Sequence, residues 1–216
     1  AVANLTSTQL NLLETSDVAA LGTAAVASLT STQLNALNST NLQALTTAQY
    51  AKLSTTAVAN LTSTQLNLME TSDVAALSTA QVAGLTSTQL NALNSTNLQA
   101  LTTGQVPALT TTTVSNLTST QLNLMQTSDL AALSTTQAIT LTSTQLNGLD
   151  TTHLVALTTA EVASLTSTQL NALTSTNLQA LTTTQTAVLT TAQAATLSST
   201  QLNLLETSDL AALNTA

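Results

Sequence analysis

Leu77-Ser78-Thr79-Ala80-Gln81-Val82-Ala83-Gly84, followed by Leu85-Thr86-Ser87-Thr88-Gln89-Leu90-Asn91-Ala92, is the stretch from which the fold can be read. The second eight residues restate the first: leucine opens, two or three small hydroxylated residues follow, then glutamine, an aliphatic residue and a small tail. Lettering the octad a to h with Leu5 at a, the pattern runs through the whole chain without a slip. Position a is Leu in 25 cases and Met in two, Met69 and Met125, so an apolar side chain is required there in every unit. Position c is Ser or Thr in all 27 cases, from Ser7 to Thr215. Position e is Gln in 14 of 26 octads and otherwise mostly Asp or Asn, and f is Leu or Val in 22 of 26, with Tyr50, Ala138, Thr186 and Ala194 as the exceptions. The reading is one continuous octapeptide array over residues 1–216. Because the sequence opens and closes part-way through an octad, it reads as a portion of a longer array.

One continuous helix does not fit. Apolar spacings of five then three turn each octad by roughly 80° at about 100° per residue, which smears the stripe around the axis. A long strand fails as well, since odd spacings send a and f to opposite faces. A short helix in each octad fits. Position f and the next a are three apart and share a helical face, while Ser or Thr at c offers an N-cap hydroxyl. Residue e then lies in the first turn, where a carboxylate meets the positive end of the helix dipole. Where Thr stands at b, Thr-x-x-Gln also has capping-box spacing. A helix of one or two turns does not survive alone, because nucleation is costly. Neighbouring units must therefore stabilise one another, as in a solenoid. The expected fold is an all-α repeat solenoid of short capped helices, with a β-solenoid as the alternative.

The string Leu-[Thr/Ser]-Ser-Thr-Gln-Leu-Asn begins at Leu5, Leu29, Leu61, Leu85, Leu117, Leu141, Leu165 and Leu197. Counted in octads, the spacings run 3, 4, 3, 4, 3, 3, 4. Duplication of a 56-residue block contributes to this order but does not explain its internal split. As in a heptad repeat, such alternation marks one face of a helical object. It predicts about 3.5 octads per superhelical turn, with these octads along one side.

Composition narrows function. The chain has one basic side chain, Lys52, against nine acidic residues, a formal charge of -8 and no cysteine. Almost nothing is available to neutralise phosphates or anionic lipid, which argues against nucleic acid and acidic membranes as partners. The longest apolar runs, such as Ala24 to Ala27, are far too short for a transmembrane segment. No nucleophile, base and orienter recur together and no Gly-rich phosphate loop is present, so neither catalytic nor cofactor-binding residues are assigned. Tyr50, Lys52 and His153 read as tolerated surface substitutions, and Pro107, which removes an amide, as a local irregularity.

Three Glu-Thr-Ser-Asp copies, Glu14/Asp17, Glu70/Asp73 and Glu206/Asp209, are calcium candidates if neighbouring turns supply further oxygens. Gln126/Asp129 is a variant copy lacking one carboxylate. Caps and the helix dipole account for all of these residues without a metal, and no metal ligand is assigned. Thr and Ser at b, c and d could form a flat hydroxyl face able to bind ice, although caps use many of those hydroxyls and b varies widely. Asn4, Asn38, Asn60, Asn94 and Asn116 head Asn-x-Ser/Thr triplets, which admit glycosylation in a suitable host.

Octads such as Leu77 to Gly84 and Leu157-Thr158-Thr159-Ala160-Glu161-Val162-Ala163-Ser164 resemble the Leu-Thr-x-x-Gln-Val-x-x repeat tracts of very large secreted or surface-attached, adhesin-like bacterial proteins. The resemblance covers the whole chain and carries over no binding or catalytic residue. It implies an extracellular or cell-surface structural role: a fibre, sheath, surface layer or adhesin stalk formed by self-association, with cell-surface glycans as further partners. The alternatives are an ice- or glycan-binding solenoid and a passive spacer presenting a separate binding domain. Lateral faces of Asn, Gln and Thr are expected to bond one copy to another.

Overall fold

The computed structural model describes residues 2–213. It comprises two compact units, Ala1–Leu109 and Thr110–Ala216. Among the described residues there are 25 α-helices of four to six residues and no strand. Each unit is an all-α repeat solenoid.

Every one of the 25 α-helices begins at position c, so one octad makes one helix. The remaining octad, Leu101 to Ala108, contains Pro107 and instead forms a 3₁₀ turn, Val106–Ala108. Proline there has no N–H to give to a helical carbonyl, and the irregularity expected from the sequence is seen.

The N-cap lies one residue earlier than the c position suggested. Residue b occupies the cap in every α-helix, with extended backbone such as φ -67°, ψ 156° at Ser78. Its hydroxyl oxygen accepts from the amide of e, as in Gln81 N to Ser78 Oγ at 3.3 Å, while Gln81 Oε1 accepts from Ser78 N at 2.7 Å. This is the reciprocal capping box, and it recurs at Thr30/Gln33, Thr86/Gln89, Thr142/Gln145 and Thr190/Gln193. Thr215, the last c position, lies outside the described residues.

Some c residues are approached closely by the next turn. A Cβ built on Gly148, an h residue, would meet Ser119 Cβ at 2.4 Å, and one on Gly84 would meet Thr55 O at 3.8 Å. Both pairs join h to the c residue 29 positions earlier. Thr140 and Ser164, also at h, reach the carbonyls of Thr111 and Thr135 over the same separation. At these positions the next turn lies close to the c residue, and at Ser119 the approach favours a small side chain.

Side chains a and f fill the core: Leu34, Leu42, Val58, Leu90 and Leu98 in the first unit, and Leu146, Val162 and Leu170 in the second, are buried. Tyr50 is buried with them, correcting the surface assignment, because f faces the core throughout the interior of the array. Its hydroxyl donates to Leu42 O at 2.8 Å, and burial pushes the phenol up from its ordinary pKa. Lys52, at h, is exposed. Within each unit, a helix packs on the one three octads away, as Thr55–Ala59 does on Thr79–Ala83 and Thr135–Ala138 on Thr159–Ser164.

Candidate functional site: an inter-turn amide ladder

A one-turn helix leaves its last carbonyls without intrahelical partners. Here those carbonyls are met by the e side chain of the following turn. Gln81 Nε2 donates to Tyr50 O at 3.0 Å and to Leu53 O at 2.8 Å, 31 and 28 residues upstream. Gln49 repeats the geometry on Val18 and Leu21, and Gln105 on Val74 and Leu77. In the second unit, Gln145 does the same to Val114 and Leu117, and Gln193 to Val162 and Leu165. Asn41 and Asn97 substitute for Gln, donating to Leu10 and Leu13 and to Leu66 and Met69.

One amide therefore does two jobs. Its oxygen closes the N-terminal box of its own helix, and its nitrogen caps the C-terminal carbonyls of the turn before. The inter-turn bond is buried and the box bond part-buried, so leaving either unmade carries a desolvation cost. This is why Gln at e is withdrawn from the surface, Gln81 being 1% exposed. The expectation that these glutamines line a lateral face is corrected accordingly.

The separations locate the turn. Position e reaches f of the octad four back and a of the octad three back, straddling their boundary, and 28 residues is three and a half octads. Asparagine at g adds a second clasp over the same boundary. Asn35 Nδ2 donates to Asn60 O at 2.7 Å, and its Oδ1 accepts from Thr62 N at 3.2 Å. Asn11 holds Ala36 and Asn38, Asn67 holds Ala92 and Asn94, and in the second unit Asn147 holds Ala172 and Thr174. Each of these asparagines belongs to a Ser-Thr-Gln-Leu-Asn octad and grips the chain at the end of the next such octad or just before it. The alternation of three and four is thus the spacing at which these octads become neighbours, as the sequence predicts.

The acidic pairs occupy the same framework. Glu14, Glu70 and Glu206 are N-caps, and Asp17, Asp73 and Asp209 sit three residues on in the first turn. Asp17 is exposed, whereas Asp73 and Asp209 are buried. Thr47 Oγ1 donates to Asp73 Oδ1, and Thr183 Oγ1 to Asp209 Oδ1, both at 2.8 Å and both from 26 residues upstream. Burial raises the Asp73 carboxyl, and the Thr47 hydroxyl pulls it part of the way back. Asp129 is likewise raised by burial. Among the described residues no group of three or more His, Asp or Glu side chains is placed to hold a metal ion. The calcium candidates occupy capping and inter-turn positions.

His153, read from the sequence as a surface substitution, is also drawn into the ladder. Its Nε2 lies 3.1 Å from Met125 O, 28 residues upstream, and its Nδ1 lies 2.8 Å from Asp150 Oδ1. The His153 amide and ring hold the Asp150 carboxyl below its ordinary range.

The signature Ala44-Leu45-Thr46-Thr47-Ala48-Gln49 runs from h to e and contains both partners of a capping box, Thr46 and Gln49. The ALTTAQ repeat model matches residues 11–47, 66–103 and 149–183, together just over half of the chain. The chain belongs to the ALTTAQ repeat family. In ALTTAQ octads the final glutamine is the residue that ties one turn to another here, and its target is a backbone carbonyl. No signal in the sequence marks that carbonyl except the 3.5-octad period. No curated protein matches the chain. Among the described residues no helix is long and apolar enough to cross a membrane.

Proposed function

We propose that this chain is a structural element of the cell exterior, an array that associates side by side or end to end with further copies into a fibre, sheath, surface layer or adhesin stalk, and that it performs no catalysis. The observation that carries the reading is at position d. Every d residue from Thr8 to Ser208 is exposed, and every one is Thr, Ser, Ala or Gly. Such a surface is uncharged and short in its side chains, so two copies can approach closely with little side-chain entropy to lose. Charged side chains are sparse, ten in 216 residues, and none stands at d.

The exposed hydroxyls favour one further reading, in which the same rows bind ice or cell-surface glycan. Negative-stain imaging separates these. Uniform filaments or sheets from concentrated protein, dispersed by lysines introduced together at Thr64, Thr88 and Thr96, support self-association. Dispersed particles at high concentration contradict it, and thermal hysteresis in that same sample transfers the d face to ice.

A further inference from the structure

Glu161 occupies position e, where most octads carry an amide, and this changes what its inner oxygen can do. The side chain is 1% exposed. Glu161 Oε2 accepts from Thr158 N, completing the capping box. Oε1 is buried and has no hydrogen-bond partner. In the same unit, Gln145, Gln169, Gln185 and Gln193 each aim Nε2 at the carbonyl 28 residues upstream, at 2.5 to 2.8 Å. For Glu161 that register names Leu133, with Leu130 three residues before it. Both are acceptors, and an ionised carboxylate offers no donor to either.

We propose that Oε1 of Glu161 is a proton-binding site: the side chain is held as a neutral carboxylic acid whose O–H donates to the Leu133 or Leu130 carbonyl, taking the place of the glutamine N–H. An O–H donor spans about 2.5–3.0 Å between oxygens, the spacing the glutamines already set. A sodium, potassium or calcium ion would need the oxygens pushed well apart. Among titratable groups near by, Asp129 precedes Leu130, His153 lies on the preceding helix, Thr151–Ala156, and Asp150 is the N-cap of that helix. The helices packed on either side, Thr135–Ala138 and Thr183–Ala187, carry none. Burial raises the Glu161 carboxyl, the Thr158 hydrogen bonds oppose it, and no charged side chain adds to either effect.

The sign follows. A carboxyl with a raised pKa in the folded state stabilises fully below its unfolded value and loses that contribution as pH rises through the folded value. The second unit therefore tightens on acidification. Thermal unfolding of the full chain and of Glu161→Gln, followed from pH 4 to pH 8, tests this. The variant is expected to melt several degrees higher at pH 8, with the gap closing by pH 4. A gap that is absent, or constant across the range, overturns the proposal. Carbon-13 NMR of the glutamate carboxyls gives a second readout. The resonance missing from Glu161→Gln is expected to titrate above the ordinary glutamate range, and a midpoint within that range overturns it. A rise in melting temperature with sodium, potassium or calcium chloride that Glu161→Gln lacks would assign the oxygen to a cation instead.

Discussion

The octads Leu77 to Gly84 and Leu101 to Ala108 differ in the element they form and agree in how they are held. The first makes a five-residue α-helix, and the second, interrupted by Pro107, makes only a 3₁₀ turn. Yet Gln81 and Gln105 place their side-chain nitrogens at nearly the same distances, 3.0 and 2.8 Å in one case and 2.9 and 2.7 Å in the other, from carbonyls 31 and 28 residues upstream. The helix can be degraded without disturbing the bond between turns. Between these two octads the e amide is the constant feature, and the helix is one way of presenting it.

If so, the two octads respond alike when the amide is removed. Gln81→Ala and Gln105→Ala each strand two buried carbonyls and the b amide, and each is expected to cost about 3–9 kcal/mol in urea unfolding, at about 1–3 kcal/mol per stranded group. A Gln105→Ala variant much cheaper than Gln81→Ala would break the comparison, since it would mean that the irregular octad is held by something else.

A smaller effect sharpens it. Gln81→Glu keeps the box and removes the donor, so it is expected to destabilise by about 1–3 kcal/mol at pH 7. A buried carboxyl there has its pKa raised, so the deficit is smallest below about pH 4.3, the ordinary glutamate value, and grows as pH rises through the folded value. Unfolding midpoints at pH 4 and pH 7 check this.

Asn35→Ala removes the exposed clasp to Asn60 and Thr62 and is expected to cost about 1 kcal/mol, the usual net worth of such bonds. Pro107→Ala is expected to do least. Circular dichroism at 222 nm should gain roughly one helical turn while stability moves by less than about 1 kcal/mol, because the restored helix bond is offset by a more flexible unfolded chain.

The sequence revealed the octad register, one helix per octad, the b–e box and the 3.5-octad turn, because each is a local spacing or a period of one. It misplaced the cap. Position c looked like the capping residue because it never varies, but it is the first residue of the helix, and at Ser119 it packs against the h position 29 residues on, Gly148. The true cap, b, varies freely because Thr6, Glu14, Gly22 and Asn38 all adopt the extended backbone that a cap needs. The second role of Gln at e was not legible, since its partners are backbone carbonyls some 28 residues away and any residue supplies those. Tyr50 and His153 were misread for the same reason: rarity of residue type suggested the surface, while their positions, f and e, dictate burial or an inter-turn bond.

The ladder itself is most directly tested by hydrogen exchange of the glutamine side-chain amides in ¹⁵N-labelled chain, with Gln81 and Gln105 assigned by the loss of their signals in the glutamate variants. Both are predicted to exchange orders of magnitude more slowly than Gln43, which bonds to Leu68 O from the exposed g position. Exchange of Gln81 and Gln105 at the rate of Gln43 would contradict the claim that buried e amides join turn to turn.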